Sequence, residues 1–246
     1  RNYRTCEIES TSSFAGIGSN QGEISISNGH ITASSTADGA GIGGAYGGRI
    51  NGGTINISGG TIVAQGGSNG AAGIGGGFYG NAVDSPGSTI NISGGDITAS
   101  GGLYSAGIGG GYGTSAGEIT ITGGEIVAHG GIGGSAIGIG SVGFGGTGGG
   151  GTLVISKALI TASVESPQDS TAINAGPTGS IYVGFTGEPS EWVCDPIDNS
   201  AEITFQNSSF APNGLLLGTC VIAGAGEEMD GTFYSRLHKR RTGRCL

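Results

Sequence analysis

The feature that most constrains the fold is an internal repeat, because a unit of about 25–35 residues recurs five times along the chain. Each unit contains a Gly-Ile-Gly motif, an alternating run, a two-residue turn and a closing run, as in Glu118-Ile-Thr-Ile-Thr, Gly123-Gly124 and Glu125-Ile-Val-Ala. Within the runs, apolar residues alternate with small polar residues, which is the period of a β-strand with one buried face. Three such strands per unit, separated by glycine-rich corners, predict one coil of a parallel β-helix.

Stacking of the units predicts that equivalent isoleucines lie above one another inside the protein. The predicted fold is all-β, a single-stranded, right-handed parallel β-helix (solenoid) of about six coils, with a fainter sixth unit around Ala172 and Ser180. We expect an N-terminal cap in residues 1–12, the β-helix repeats in residues 13–183, and a C-terminal cap or docking segment in residues 184–246. The three predicted ladders are Ile26, Ile57, Ile92, Ile121 and Ile155; Ile31, Ile62, Ile97, Ile126 and Ile160; and Ile17, Ile42, Ile74, Ile108 and Ile139.

The units differ in length at one place, between the Gly-Ile-Gly strand and the strand that follows it. The insertions fall in residues 45–53, 78–88, 112–117 and 142–151, so one side of the predicted solenoid carries the variable loops. In repeat proteins the side that carries such loops is often the binding side.

Composition excludes several classes of protein. The chain has 58 glycines among 246 residues but only 6 prolines and no strict Gly-X-Y period, which excludes collagen. Each interior glycine costs a helix roughly 0.8–1 kcal/mol, which argues against a helical fold. A formal net charge of only −9 and plentiful β-branched residues argue against charge-driven disorder. Because no apolar run reaches roughly 18–20 residues and the body is poor in lysine and arginine, we expect neither membrane insertion nor nucleic acid binding.

The four cysteines lie outside the glycine-rich body, and none has the C-x-x-C spacing of zinc or redox sites. Their even number indicates two disulfides in an oxidising compartment. We favour a bridge between Cys194 and Cys220, with Cys6 and Cys245 free to pair elsewhere, and the sequence leaves three connectivities open. Three asparagines fit the N-glycosylation acceptor pattern, namely Asn56, Asn91 and Asn207.

An aromatic column is the main candidate for a ligand site. Tyr46, Phe78 and Tyr112 each lie four residues after the isoleucine of a Gly-Ile-Gly motif, and Phe144 lies nearly in line with them. At one-coil spacing these rings form either a platform for sugar rings or packing that covers a corner, since each aromatic side chain buries roughly 150–250 Å². We favour packing and keep the glycan platform as the alternative.

Candidates for catalytic and metal-binding groups are few. The one stacked carboxylate pair is Asp96 and Glu125, which occupy the same outward position of successive coils. Such a pair can bind calcium or share a proton, but we interpret it as solvated surface charge. His30 and His129 occupy outward strand positions and are interpreted as surface histidines. We therefore expect no catalytic residue, no metal and no cofactor.

The unit Ala-Gly-Ile-Gly-Gly-Gly…Ile-Thr-Ile-Thr-Gly-Gly-x-Ile-x-Ala resembles the glycine-rich β-helix repeats of large surface proteins from bacteria and some unicellular eukaryotes. The resemblance covers roughly residues 13–183 and implies an extracellular or cell-surface protein without shared catalytic residues. The sequence shows no initiator methionine and no signal peptide, which predicts a processed or trimmed chain.

We therefore expect a non-catalytic structural protein, such as a stalk, an adhesin segment or a filament subunit. Its expected partners are further copies of itself, joined end to end, or another extracellular protein. The alternative functions are a carbohydrate-binding module with a glycan ligand and, behind it, a glycan-active hydrolase or lyase.

Overall fold

The structure, a computed structural model, describes residues 5–11, 13–18, 22–47, 53–78, 87–141, 149–184, 201–206, 211, 215–217 and 220–223. All regular secondary structure within these ranges is β-strand. The same ranges contain no helix with the length and apolar character that a membrane crossing requires.

The described strands form three sheets, here named A, B and C. Sheet A contains β1 (Thr5–Ser10), β4 (His30–Ser35), β7 (Thr61–Gln65), β10 (Asp96–Ser100), β13 (Glu125–Gly130), β16 (Leu159–Val164), β19 (Ala201–Phe205) and β21 (Cys220–Ala223). Sheet B contains β2 (Ile17–Gly18), β5 (Ile42–Gly43), β8 (Ile74–Gly75), β11 (Ile108–Gly109), β14 (Ile137–Gly138) and β17 (Ile173–Asn174). Sheet C contains β3 (Glu23–Ile26), β6 (Thr54–Ile57), β9 (Thr89–Ile92), β12 (Glu118–Ile121), β15 (Thr152–Ile155), β18 (Ser180–Val183) and β20 (Leu215–Leu217).

The chain passes through sheets A, B and C in turn, and each passage is one coil. Every strand pairs in parallel with the equivalent strand of the next coil, so that β10, for example, lies between β7 and β13. Five complete turns separate β2 from β17, and neighbouring coils are about 4.8 Å apart. The prediction of an all-β parallel β-helix is confirmed.

The core consists of isoleucine columns along the axis. The strand register confirms the first two predicted ladders, because Ile57 pairs with Ile92 in sheet C and Ile62 pairs with Ile97 in sheet A. In the middle of the solenoid these side chains are almost completely shielded from solvent; Ile57 is 1% exposed and Ile62 is 0% exposed. Burial of each such side chain contributes roughly 1.5–3 kcal/mol, which explains why the inward positions carry isoleucine in unit after unit.

The third predicted ladder was wrong at its fifth member. Ile108 pairs with Ile137, and not with Ile139, so the fifth strand of sheet B begins two residues earlier than predicted. Ile139 is also buried, at 7% exposure, and follows the strand β14. The segment Ile137-Gly-Ile-Gly contains the Ile-Gly pair twice, so either Ile137 or Ile139 could align with Ile108. The position of the preceding strand is what distinguishes these two registers.

Strands beyond residue 183 continue the sheets. β19 pairs with β16 and β21 pairs with β19 in sheet A, while β20 pairs with β18 in sheet C. These strands lie in the segment 184–246, for which a cap or docking role was predicted, and β1 lies in the predicted N-terminal cap 1–12. The described parts of both segments therefore extend the parallel sheets.

Sheet B brings neighbouring backbones close together through a column of glycines. Gly43, Gly75, Gly109 and Gly138 all have φ between +126° and +134°, a region that L-residues with a side chain rarely adopt. A Cβ atom added to Gly75 would also overlap the carbonyl oxygen of Gly109 in the next coil. Glycine is thus required here both by the backbone conformation and by the approach of the next coil.

An amide ladder runs along the outer face of sheet C. Asn91 Nδ2 donates a 2.9 Å hydrogen bond to Asn56 Oδ1, and Asn56 Nδ2 donates a 2.8 Å bond to Glu23 Oε1. Ser25 Oγ donates a second bond, of 2.9 Å, to the same Glu23 oxygen. These bonds give Asn56 and Asn91 a structural role in the sheet, and their use as glycosylation acceptors stays a prediction.

Replacing Asn56 with alanine is expected to lower the free energy of unfolding by about 1 kcal/mol, because it removes a part-buried hydrogen bond with Asn91 and an exposed one with Glu23. Urea unfolding followed by far-UV circular dichroism measures the change. Thr120→Ala is the matched control, since Thr120 stands in the same column and makes no side-chain hydrogen bond within the described ranges. Equal losses in the two variants would contradict a stabilising role for the ladder.

Candidate functional site

The aromatic residues form a continuous stack along the corner that follows sheet B. The ring centroids of Tyr46 and Phe78 are 5.8 Å apart with an interplanar angle of 15°, and those of Phe78 and Tyr112 are 5.6 Å apart at 8°. The four-residue offset from each Gly-Ile-Gly isoleucine therefore aligned these three residues correctly.

The fourth position of the column is occupied by a serine. The backbone N–H groups of Tyr46, Phe78 and Tyr112 each donate to a loop carbonyl, and the Ser141 N–H makes the equivalent bond to the Tyr104 carbonyl at 2.7 Å. Ser141 lies four residues after Ile137, as the corrected register requires. Phe144, which was predicted to continue the column, lies outside the described residues.

Tyr104 extends the stack from a neighbouring loop. Its ring centroid is 5.3 Å from that of Tyr112, with the two planes tilted by 42°. Sequence patterns did not identify Tyr104, because the equivalent loop positions, which accept the column's backbone hydrogen bonds, are Ser13, Asp38 and Gly70.

The orientation of the rings bears on whether the column can bind a sugar ring or serves as packing at the corner. A platform for sugar rings needs an exposed ring face, but Phe78 and Tyr112 stack face to face along the axis. Tyr46, at the N-terminal end of the stack, is the most exposed of the three, at 55%. The stacked geometry supports the packing interpretation, and the glycan platform stays a prediction.

A polar contact holds the corner beside the column. Asp38 accepts a 2.8 Å hydrogen bond from Ser13 Oγ in the preceding coil and another of 2.8 Å from Asn69 Nδ2 in the following coil. The Asp38 backbone carbonyl also accepts the Phe78 N–H. One carboxylate therefore joins three successive coils at this corner.

The candidate acid–base groups are dispersed over sheet A. Asp96 and Glu125 are direct neighbours in the register, as predicted, and both are exposed. His129 is half-buried, and its Nδ1 lies 2.9 Å from Ser163 Oγ, so it is tied to the next coil. Among the described residues no group of three or more His, Cys, Asp or Glu side chains could hold a metal ion.

The predicted cysteine bridges fall largely outside the described residues. Cys6 is exposed and makes no disulfide in the structure. Cys220 lies in β21, and its side chain is not among those described. Cys194, Cys245 and the glycosylation candidate Asn207 lie outside the described ranges. The pairing of Cys194 with Cys220 stays a prediction.

Strand β1 is the first of the described strands in sheet A. Within the described residues β1 pairs with β4 alone. Cys6 and Ile8 occupy inward positions above Ile31 and Ala33, yet Cys6 is exposed and Ile8 is half-buried. Two coils further along the same column, Ile62 is fully buried. Within the described residues, the inward positions of β1 are therefore less shielded than those of the inner coils.

Comparison with known proteins agrees with this architecture. The family model described as "Beta helix repeat" matches residues 24–46, 55–78 and 90–112. Each matched segment begins within a strand of sheet C and ends at or beside the aromatic column, so each covers one coil. No curated protein and no solved structure matches the chain. These three segments are beta helix repeats, and the chain that contains them folds as a parallel β-solenoid.

Proposed function

We propose that the protein is a non-catalytic structural element of the cell surface or extracellular space: a stalk, an adhesin segment or a filament subunit. The observation that carries the proposal is the edge formed by β1, which among the described strands pairs with β4 alone and whose inward residues Cys6 and Ile8 are exposed and half-buried. Such an edge can accept a further strand, because each coil in the solenoid is stabilised by the coils on either side of it.

Head-to-tail joining is the geometry that this edge favours. A C-terminal end placed on β1 continues the parallel register, whereas two N-terminal ends placed together do not. The exposed side chains of Glu7 and Glu9 also point outward from β1, so two such ends would bring like charges together. Heterologous contacts of this kind build filaments when they do not close into a ring.

An extracellular location is part of the proposal. It is supported by the resemblance of the repeat to those of surface proteins. The repetition of the core also fits a structural role, since most inward positions carry the same residue in successive coils.

Negative-stain electron microscopy of the non-reduced protein tests the proposal. We expect end-to-end filaments of short rods, and we expect Ile8→Lys to abolish them because it places a charge at an inward position of β1. Val63→Lys is the matched control, since Val63 lies on the outer face in the middle of sheet A and is 43% exposed.

Cys6→Ser separates the two possible ways of joining. Filaments that persist in Cys6→Ser and in reductant are held by strand pairing, and filaments lost in both are held by a disulfide through Cys6. Single compact particles at every protein concentration, with and without reductant, would contradict the filament role.

A further inference from the structure

A polar groove lies beside the beginning of sheet C, on the side of the solenoid that carries the variable loops. Its volume is about 550 Å³, within the range of roughly 300–1,000 Å³ that is usual for ligand clefts. It extends across four successive coils, which corresponds to about 14 Å along the axis. Among the residues that line it are Ser115, Gly117, Glu118, Gly151, Thr178 and Ser180.

Ser115 is the first indication of a ligand. The residue is 7% exposed, lines the groove, and its hydroxyl has no hydrogen-bond partner among the described residues. By contrast, the buried Ser105 hydroxyl contacts two carbonyl oxygens, Ala71 O at 2.7 Å and Gly102 O at 2.8 Å. Although most of the residue is buried, the Ser115 hydroxyl oxygen is open to the groove, so it can donate a hydrogen bond to a ligand there or accept one.

Glu118 and Thr178 supply complementary groups in the same groove. The Glu118 carboxylate is exposed, makes no hydrogen bond to any other described residue, and can only accept hydrogen bonds when ionised. The Thr178 hydroxyl accepts a 3.1 Å hydrogen bond from the Gly150 N–H, which leaves its own O–H as a donor. The groove therefore offers both acceptors and donors to a ligand.

The floor of the groove has no side chains at two positions. A Cβ atom at Gly117 would overlap the carbonyl oxygen of Ser88, and one at Gly151 would overlap that of Gly117, so coil packing alone requires glycine at both. At these two positions the groove therefore presents backbone to a ligand and no side chain.

We propose that this groove binds a neutral, hydroxyl-rich saccharide of more than one sugar unit. Hydroxyl groups match a lining that both donates and accepts hydrogen bonds, and the lining offers few apolar groups to an apolar ligand. An acidic saccharide is disfavoured by Glu118 and by the net charge of −9. This binding activity goes beyond the structural role and does not depend on filament formation.

Isothermal titration calorimetry with four defined probes tests the proposal. The neutral probes are cellotetraose, mannotetraose and tetra-N-acetylchitotetraose, and the acidic probe is tetragalacturonate. We expect at least one neutral tetrasaccharide to bind and the acidic one to bind more weakly. Glu118→Gln and Ser115→Ala are each expected to weaken the binding at least about fivefold, since each removes a hydrogen-bonding group from the groove.

Two control variants locate the site. Glu125→Gln removes an exposed carboxylate from the neighbouring sheet A, and Tyr46→Ala truncates the exposed end of the aromatic stack. Neither is expected to change the affinity, and circular dichroism checks that every variant keeps the fold. The proposal is overturned if no neutral tetrasaccharide binds at millimolar concentration. It is also overturned if binding survives Glu118→Gln and Ser115→Ala unchanged, or depends on Tyr46 instead.

Discussion

Replacing Gly75 with alanine is expected to destabilise the protein by about 4 kcal/mol, enough to unfold the coils around sheet B. Two costs add at this residue. Its φ of +130° is strained for any residue with a side chain, at roughly 1–3 kcal/mol. A Cβ atom would also overlap the Gly109 carbonyl in the next coil, and such overpacking costs roughly another 1–3 kcal/mol.

Gly29 offers a matched control for this experiment. It also has a positive φ, of +105°, but an added Cβ atom would meet nothing within 4 Å. Gly29→Ala therefore carries the conformational cost alone and should lose no more than about half as much. Urea unfolding followed by far-UV circular dichroism compares the two variants, and equal losses would show that the close approach of coils in sheet B contributes nothing.

The second large effect is expected from Ile90→Ala, which should lower the free energy of unfolding by about 3–4 kcal/mol. Ile90 is 0% exposed and lies between Ile55 and Ile119 in the central part of the sheet C column. Alanine leaves a cavity that the neighbouring coils cannot fill, because their backbones are fixed by the parallel register on both sides.

The loss of unfolding free energy should depend on where the truncated isoleucine lies along the solenoid. Ile24 occupies the same column, but among the described strands of sheet C its strand β3 pairs with β6 alone, and Ile24 is 8% exposed. We expect Ile24→Ala to cost about half as much as Ile90→Ala, because stability in a repeat protein depends on nearest-neighbour contacts. Val127→Ala, at a residue that is 41% exposed, should stay within about 0.5 kcal/mol of the wild type. A larger loss at Ile24 than at Ile90 would contradict the nearest-neighbour account.

Most of the fold was predictable because the spacing of the repeat determines which residues of neighbouring coils pair. The offset from one Ile to the equivalent Ile in the next unit placed Ile57 beside Ile92 and Ile62 beside Ile97 without any knowledge of the corners. The mistake at Ile139 shows the limit of motif matching. Ser100 pairs with His129, and Ile108 lies eight positions after Ser100. The residue eight positions after His129 is Ile137, so counting from the preceding strand selects Ile137 as the partner of Ile108.

The surface features were less predictable, because they depend on loops with no repeated pattern. The stack of Tyr46, Phe78 and Tyr112 followed from spacing, but its face-to-face geometry depends on how the corner turns. The polar groove combines Ser115 and Thr178, which lie two coils apart in segments of different length and composition. Sequence indicated the side of the solenoid on which the groove lies, but not which side chains would meet there.

The strict pairing of each coil with its neighbours also has an evolutionary consequence. Since a unit contacts only the units before and after it, in the same register each time, copying one unit within the gene inserts a coil and lengthens the rod by about 4.8 Å. The matching segments Thr54-Ile-Asn-Ile-Ser and Thr89-Ile-Asn-Ile-Ser show that neighbouring coils can carry the same residues at equivalent positions. The length of such a protein can therefore change between generations by whole coils, while its cross-section and its core stay the same.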